Sequence, residues 1–206
     1  MSDTMQITQI EWITKTKARI YLDEEAAFIL KAADIKAYDL KEGHALSLEA
    51  YTDLYENVLL KKARLKALNL LKMRDYSEFE LHAKIQREFS SAALADSAVD
   101  YVKSYHYIDD MRYARNYVTY HAAGDSRRIL IQKLRSKGIS DDMINTVLDE
   151  NPADEKQQIL DIITKKFGDY SQATPQKRQK ILNFLLRKGY SYSDIRTVIK
   201  DFDTNE

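Results

Sequence analysis

The sequence predicts a mainly α-helical fold: tandem three-helix repeats in an elongated, curved body, preceded by a small N-terminal three-stranded antiparallel β unit. Three observations predict it. Apolar residues recur at helical spacing from Leu48 almost to the end of the chain, the first 30 residues alternate at strand spacing instead, and the helical part overlays on itself when displaced by about 50 residues.

Gln6 to Ile13, Ala18 to Leu22 and Ala27 to Leu30 are short, rich in β-branched and aromatic residues, and separated by polar clusters at Thr14 to Lys17 and Asp23 to Glu25. Ile20 and Leu22 alternate with Arg19 and Tyr21, the pattern of strands buried on one face. Three short strands are marginal unless something covers their apolar face. Ala32 to Leu40, ending toward Gly43, is read as a short helix that supplies cover.

Ser47 is the N-cap expected for a long helix whose acidic residues, Glu49 and Asp53, come early and whose basic ones, Lys61 to Arg74, come late, as the helix dipole favours. Tyr51, Leu54, Tyr55, Val58, Leu65 and Leu68 give it an apolar core stripe over about seven turns. Ser77-Glu78-Phe79-Glu80 reads as a capping box opening a helix with Leu81, Ile85 and Phe89, and a third helix carries Leu94, Ala98, Tyr101, Val102 and Tyr105. From Tyr107 to Gly138 the pattern is helix, break, helix. Asp109 is placed to cap the first, Asp125 or Ser126 the second, and Gly124 and Gly138 occupy left-handed exits. Further helices are predicted at Asp141 to Leu148 behind Ser140, Ala153 to Phe167 behind Asn151-Pro152, Gln176 to Lys188 behind Thr174-Pro175, and Asp194 to Phe202 behind Ser191 or Ser193, with both prolines at first helical positions.

A displacement of 51 residues lays Arg127, Leu130, Ile131, Leu134, Lys137 and Gly138 onto Arg178, Ile181, Leu182, Leu185, Lys188 and Gly189. A displacement of 49 in the other direction brings Leu81, Ile85 and Phe89 under Leu130, Leu134 and Gly138 as a weaker third copy. The organisation expected is a β-rich unit at 1–46 and three repeats at about 47–106, 107–150 and 151–206, the β unit being partly separable because composition and period change near residue 47.

The chain has no cysteine, which excludes disulfides and thiolate metal sites and fits a reducing cytoplasm. It has no apolar run of the roughly 20 residues a membrane span needs and no secretory leader pattern at its start, so a soluble cytoplasmic protein is expected. Formal net charge is zero but unevenly spread: residues 1–58 hold 6 Lys+Arg against 11 Asp+Glu, leaving the helical part with a net of +5. That excess suits a mixed protein and nucleic-acid surface better than a dedicated DNA binder.

Asp110, Tyr113, Ala114, Tyr117 and Val118, then Gly124, Arg128, Ile129, Leu134, Lys137, Gly138 and Ile139, combine an aspartate opening one helix, an aromatic-Ala pair and a Lys-Gly-Ile exit at fixed separations. This block resembles the centre of the RecX family, bacterial regulators of the RecA recombinase, and weaker resemblance runs from Leu48 to Phe202. The resemblance implies the same repeat architecture and a non-enzymatic regulator, negative in sense, of RecA in DNA repair, recombination and the SOS response. It would bind the RecA-DNA filament in its helical groove and inhibit filament growth, ATP hydrolysis and strand exchange. Single-stranded DNA is an expected partner weakly or through the filament, and the chain is expected to be a monomer. The alternative is a helical DNA-binding protein acting without a recombinase, since three-helix units with a glycine break resemble helix-turn-helix modules.

No catalytic, metal or cofactor site is predicted. The four histidines are scattered, without metal-ligand spacing, and Asp109-Asp110 and Asp141-Asp142 sit where helix caps and first turns attract acids. The candidate filament or nucleic-acid surface is basic: Arg112 and Arg115 beside the cluster Tyr105, Tyr107, Tyr113, Tyr117 and Tyr120; Arg128, Gln132 and Arg135 on the polar face of one helix; and Lys177, Lys180 and Arg187 on the polar face of another. The first repeat departs from the pattern, with Glu78 and Glu88 where the other copies carry basic residues.

Overall fold

The computed structural model describes residues 4–204, with side chains as far as residue 200. The chain is mainly helical behind a small N-terminal antiparallel sheet, and it divides into two compact units, Met1–Asp109 and Asp110–Glu206.

In the first unit the sheet has four strands rather than three: β1 (Thr4–Thr14), β2 (Lys17–Leu22), β3 (Glu25–Lys31) and β4 (Ala45–Ser47), in the order β3-β2-β1-β4. The added strand pairs Ala45, Leu46 and Ser47 with Gln6, Met5 and Thr4. Three residues are too few to show an alternation, so the strand leaves no sequence signal. Ile20 stands opposite Ile10 on one side and Phe28 on the other. Ala18, Ile20, Leu22, Phe28 and Leu30 are buried. α1 (Ala32–Ala37) follows and stops short of the predicted Leu40, the chain turning through Asp39 at a left-handed φ of 48°.

The long helix begins behind Ser47, whose hydroxyl accepts from the Ala50 amide, and comprises α2 (Leu48–Asp53), a π-helical segment Leu54–Leu60 and α3 (Lys61–Met73). The π-helical segment changes which residues face the core. Leu65 lies eleven residues, about three α-helical turns, beyond Leu54, so an unbroken α-helix would bury both. The wider π turn instead brings Leu59 under Leu54, after which Ala63 and Ala67 continue the buried stripe and Leu65 turns outward to 57% exposure. The predicted core role of Leu65 is thus corrected by one local change of helical pitch.

α4 (Glu78–Phe89) opens with the predicted capping box, Ser77 and Glu80 bonding reciprocally, and α5 (Ala92–Ser104) packs on both α4 and α3. The compositional change near residue 47 is not a gap in packing. Ile7, Ile20, Phe28 and Leu46 of the sheet share one apolar core with Leu54, Leu59, Leu81 and Leu94 of the helices, and the Phe28 and Tyr51 rings meet with centroids 6.2 Å apart.

The second unit holds two three-helix sets, each with its own apolar core. α6 (Asp110–His121), α7 (Arg127–Ser136) and α8 (Asp141–Glu150) surround Ala114, Val118, Leu130, Leu134 and Ile144. α9 (Glu155–Ile162), prolonged by a π-helical segment Ile163–Phe167, packs with α10 (Pro175–Arg187) and α11 (Tyr192–Thr204) around Ile159, Ile163, Ile181, Leu185 and Ile195. The internal repeat is visible in the backbone, because Gly138 and Gly189, 51 residues apart, leave their helices at φ of 79° and 84°. Gly124 does not adopt this conformation, contrary to the sequence expectation. Pro175 is at the first helical position as predicted, but Pro152 precedes a helix that starts only at Glu155, behind an Asp154 cap. Ser126 and Ser191 are the hydroxyls that cap α7 and α11.

Candidate functional site

The seven predicted basic residues fall on three helices of the second unit, all exposed: Arg112 and Arg115 on α6, Arg128 and Arg135 on α7, and Lys177, Lys180 and Arg187 on α10. Their electrostatic situations differ. Arg115 grips Glu150 with two hydrogen bonds of 2.9 Å, and Arg135 grips Asp141 through Nε at 2.6 Å and a second nitrogen at 3.1 Å. These bonds hold the Glu150 and Asp141 carboxyls below their ordinary range and raise the Arg135 guanidinium. Both arginines therefore stitch α8 to its neighbours as well as facing solvent. Arg128, Lys177, Lys180 and Arg187 have no side-chain ion pair among the described residues, which leaves their charge available to an incoming anion.

The tyrosine cluster divides. Tyr113 is buried and stacks on the half-buried Tyr117 at 6.3 Å, with the Lys137 ammonium 5.8 and 5.4 Å from their ring centres, whereas Tyr105, Tyr107 and Tyr120 are exposed. Asp141 and Asp142 stand in the first turn of α8 behind the Ser140 cap, and among the described residues no group of acids and histidines could hold a metal ion. No helix among them is long and apolar enough to cross a membrane.

Two family models match the chain: RecX, second three-helix domain, over residues 109–148, and RecX, third three-helix domain, over residues 154–199. Regulatory protein RecX of Haemophilus influenzae strain PittGG is 34% identical over 135 residues, which cover 64% of this chain and 89% of that relative. The chain belongs to the RecX family of regulatory proteins. Regulatory protein RecX of Clostridium acetobutylicum is similar along nearly the whole length, 27% identical over 203 residues with 95% of each chain covered. Two solved RecX structures share the fold at 24% identity: one with a TM-score of 0.61 over 96% of this chain and 99% of the other, and that from Lactobacillus salivarius with a TM-score of 0.59 over 70% and 97%.

The two RecX domains coincide with the two apolar cores of the second unit, and the residues that join them escaped the sequence reading. Asp125, considered there only as a cap, is 6% exposed and sits between Lys133 at 2.5 Å and Lys188 at 3.3 Å. Burial alone would push its carboxyl up, but the hydrogen bonds from both lysines outweigh burial and hold it below the ordinary range. Next to it, Gly189 approaches so closely that a Cβ there would stand 2.5 Å from Ser126 Oγ and 2.7 Å from Ile129 Cγ1. Gln158 of α9 donates to the Ala122 carbonyl at 2.9 Å and accepts from the buried Tyr190 hydroxyl at 3.2 Å. The available signal was the pairing of Lys137-Gly138 with Lys188-Gly189 in the repeat, which marks the turn but not what it docks against.

Proposed function

We propose that this chain is a negative regulator of the RecA recombinase that binds the RecA-DNA filament in its helical groove and inhibits filament growth, ATP hydrolysis and strand exchange. Membership of the RecX family is the observation that carries the reading. It is supported by the exposed cations Arg128, Lys177, Lys180 and Arg187, whose charge is not taken up by ion pairs among the described residues and suits a surface of phosphates and acidic side chains. In this reading the chain acts as a monomer in the cytoplasm and meets single-stranded DNA weakly or through the filament.

The test is recombinase ATPase measured against the ratio of this protein to recombinase, at two salt concentrations, with the protein added before or after filament assembly. A growth blocker acts at small ratios and most strongly on growing filaments, because one bound molecule stops the addition of many subunits. Demand near one protein per recombinase, with a salt slope equal to that of its own binding to bare DNA, would assign the chain to DNA binding without a recombinase partner.

A further inference from the structure

The first unit contains a cleft of about 360 Å³ between the end of β3, α1, the long helix and α4. Its floor is apolar but covered, with Leu30, Leu59 and Phe89 all buried beneath it. Leu65, turned outward by the π-helical segment, stands on its lip. π-helical segments inside α-helices are found frequently at functional positions. Four lysines line the cleft, Lys17, Lys31, Lys62 and Lys66, against two carboxylates, Asp34 and Glu88. Lys62 pairs with Asp34, and Lys17 pairs with Glu88, which Lys66 approaches to 3.7 Å, while Lys31 is exposed with no ion pair among the described residues. The cleft therefore holds two positive charges in excess.

Its third property is a main-chain edge. β3 is the end strand of the sheet, and an end strand presents a row of donors and acceptors outside the ladder. Ile29, Leu30 and Lys31 bring that edge into the cleft wall. Apolar surface at Leu65 and Ile29, surplus lysine charge and a strand edge together match one class of partner.

We propose that this cleft docks an extended acidic peptide segment of a partner protein: an apolar side chain packs against the exposed Leu65 and half-buried Ile29, carboxylates meet the lysine surplus, and the main chain runs along the edge of β3. A nucleic-acid strand fits less well. It brings a charge with every nucleotide against Asp34 and Glu88, and the Phe89 ring is too covered, at 8% exposure, to stack a base. The inference goes beyond the recombinase reading and does not depend on it.

The experiment uses the full chain and an array of acetylated peptides of roughly ten residues, long enough to span a strand edge. The peptides combine Glu, Leu and Ser in varied order; matched sets carry Gln for Glu or Ser for Leu, and oligothymidine serves as the nucleic-acid probe. Binding is read by fluorescence anisotropy. Peptides alternating Glu and Leu are expected to bind, the Gln and Ser sets about tenfold more weakly, and Lys31→Glu and Leu65→Ser proteins about tenfold more weakly with unchanged far-UV circular dichroism. An array with no binder, Gln peptides that bind as well as Glu peptides, or variants that bind like the parent overturns the proposal. Oligothymidine binding that is lost in the same two variants reassigns the cleft to nucleic acid.

Discussion

Lys188, at the end of α10, donates to Asp125 at 3.3 Å, so a carboxylate in the α6–α7 turn is neutralised by a lysine from the next three-helix set. With Lys133 on its other oxygen, Asp125 is a nearly buried anion held by two lysines whose side chains are 43% and 39% exposed. Replacing it by Asn leaves both ammonium groups without their carboxylate. Removing one partner from a buried pair costs about 3 to 5 kcal/mol, and the exposed lysine ends reduce the expectation here to about 2 kcal/mol.

The pH dependence of that cost follows from the directions of the shifts. The carboxyl of Asp125 is held below its ordinary value in the folded chain, so its contribution is complete above about pH 4 and is lost as pH falls through the lowered folded value. Lys133 is raised by the same hydrogen bond, so its share is complete below about pH 10 and is lost as pH rises through the raised value. Urea denaturation of parent and Asp125→Asn should therefore show a constant gap from about pH 5 to 9 that narrows in acid. A gap at pH 3 as wide as at pH 7 would exclude this assignment.

Gly189→Ala should be costly for two separable reasons. At φ 84° a Cβ is strained, by about 1 kcal/mol, and that Cβ would press on Ser126 Oγ and Ile129 Cγ1 inside ordinary contact distance, adding about 1 to 3 kcal/mol of overpacking. Gly43→Ala is the control: its φ of 77° is similar but nothing lies within 4 Å of the added Cβ, so only the smaller strain cost is expected. Equal destabilisation of the two variants by thermal melting would mean that the close approach at Gly189 carries no energy.

These residues show where sequence is informative. Helix existence, the Ser77 capping box and the Ser47, Ser140 and Thr174 caps were legible, because each is a local device whose partners lie within three residues. The repeat was legible because equivalent turns reuse Lys-Gly. What was not legible depends on distant partners or on a change of pitch. β4 is defined only by its pairing with β1, Leu65 leaves the core because of a π turn with no residue signature, and Asp125 reads as a cap until a lysine 63 residues away is brought to it. Among the candidate cations, face could be read from spacing, but the carboxylates that engage Arg115 and Arg135 lie on α8 and became visible only with the fold.

Removing residues 1–46 tests how far the sheet belongs to the first helices. Deletion takes Ile20, Phe28, Leu30 and Leu46 from the core they share with Leu54 and Leu59, leaving two fully buried leucines facing water. Fully burying a leucine contributes about 1.5 to 3 kcal/mol. The shortened chain should lose hydrogen-exchange protection in α3 to α5 while α6 to α11, whose cores are separate, keep theirs. Retained protection in α3 and α4 would show instead that the β unit is separable.

The basic residues supply the last test, because they divide into two groups with different expected outcomes. Arg128, Lys177, Lys180 and Arg187 are exposed without ion pairs among the described residues, so reversing them to Glu removes no internal bond and should change stability by less than about 0.5 kcal/mol per site. If they face the filament, the fourfold variant should need roughly tenfold more protein to reach half-inhibition of recombinase ATPase, and its co-sedimentation with filaments should lose part of the salt dependence of the parent. Arg115→Glu and Arg135→Glu differ in kind. Each places an anion beside Glu150 or Asp141, where two hydrogen bonds now hold α8, so these variants should melt lower even if inhibition is unchanged once they are folded. Melting temperature and half-inhibition measured on all the variants separate the two roles. A fourfold variant that melts and inhibits like the parent would remove Arg128, Lys177, Lys180 and Arg187 from the filament surface.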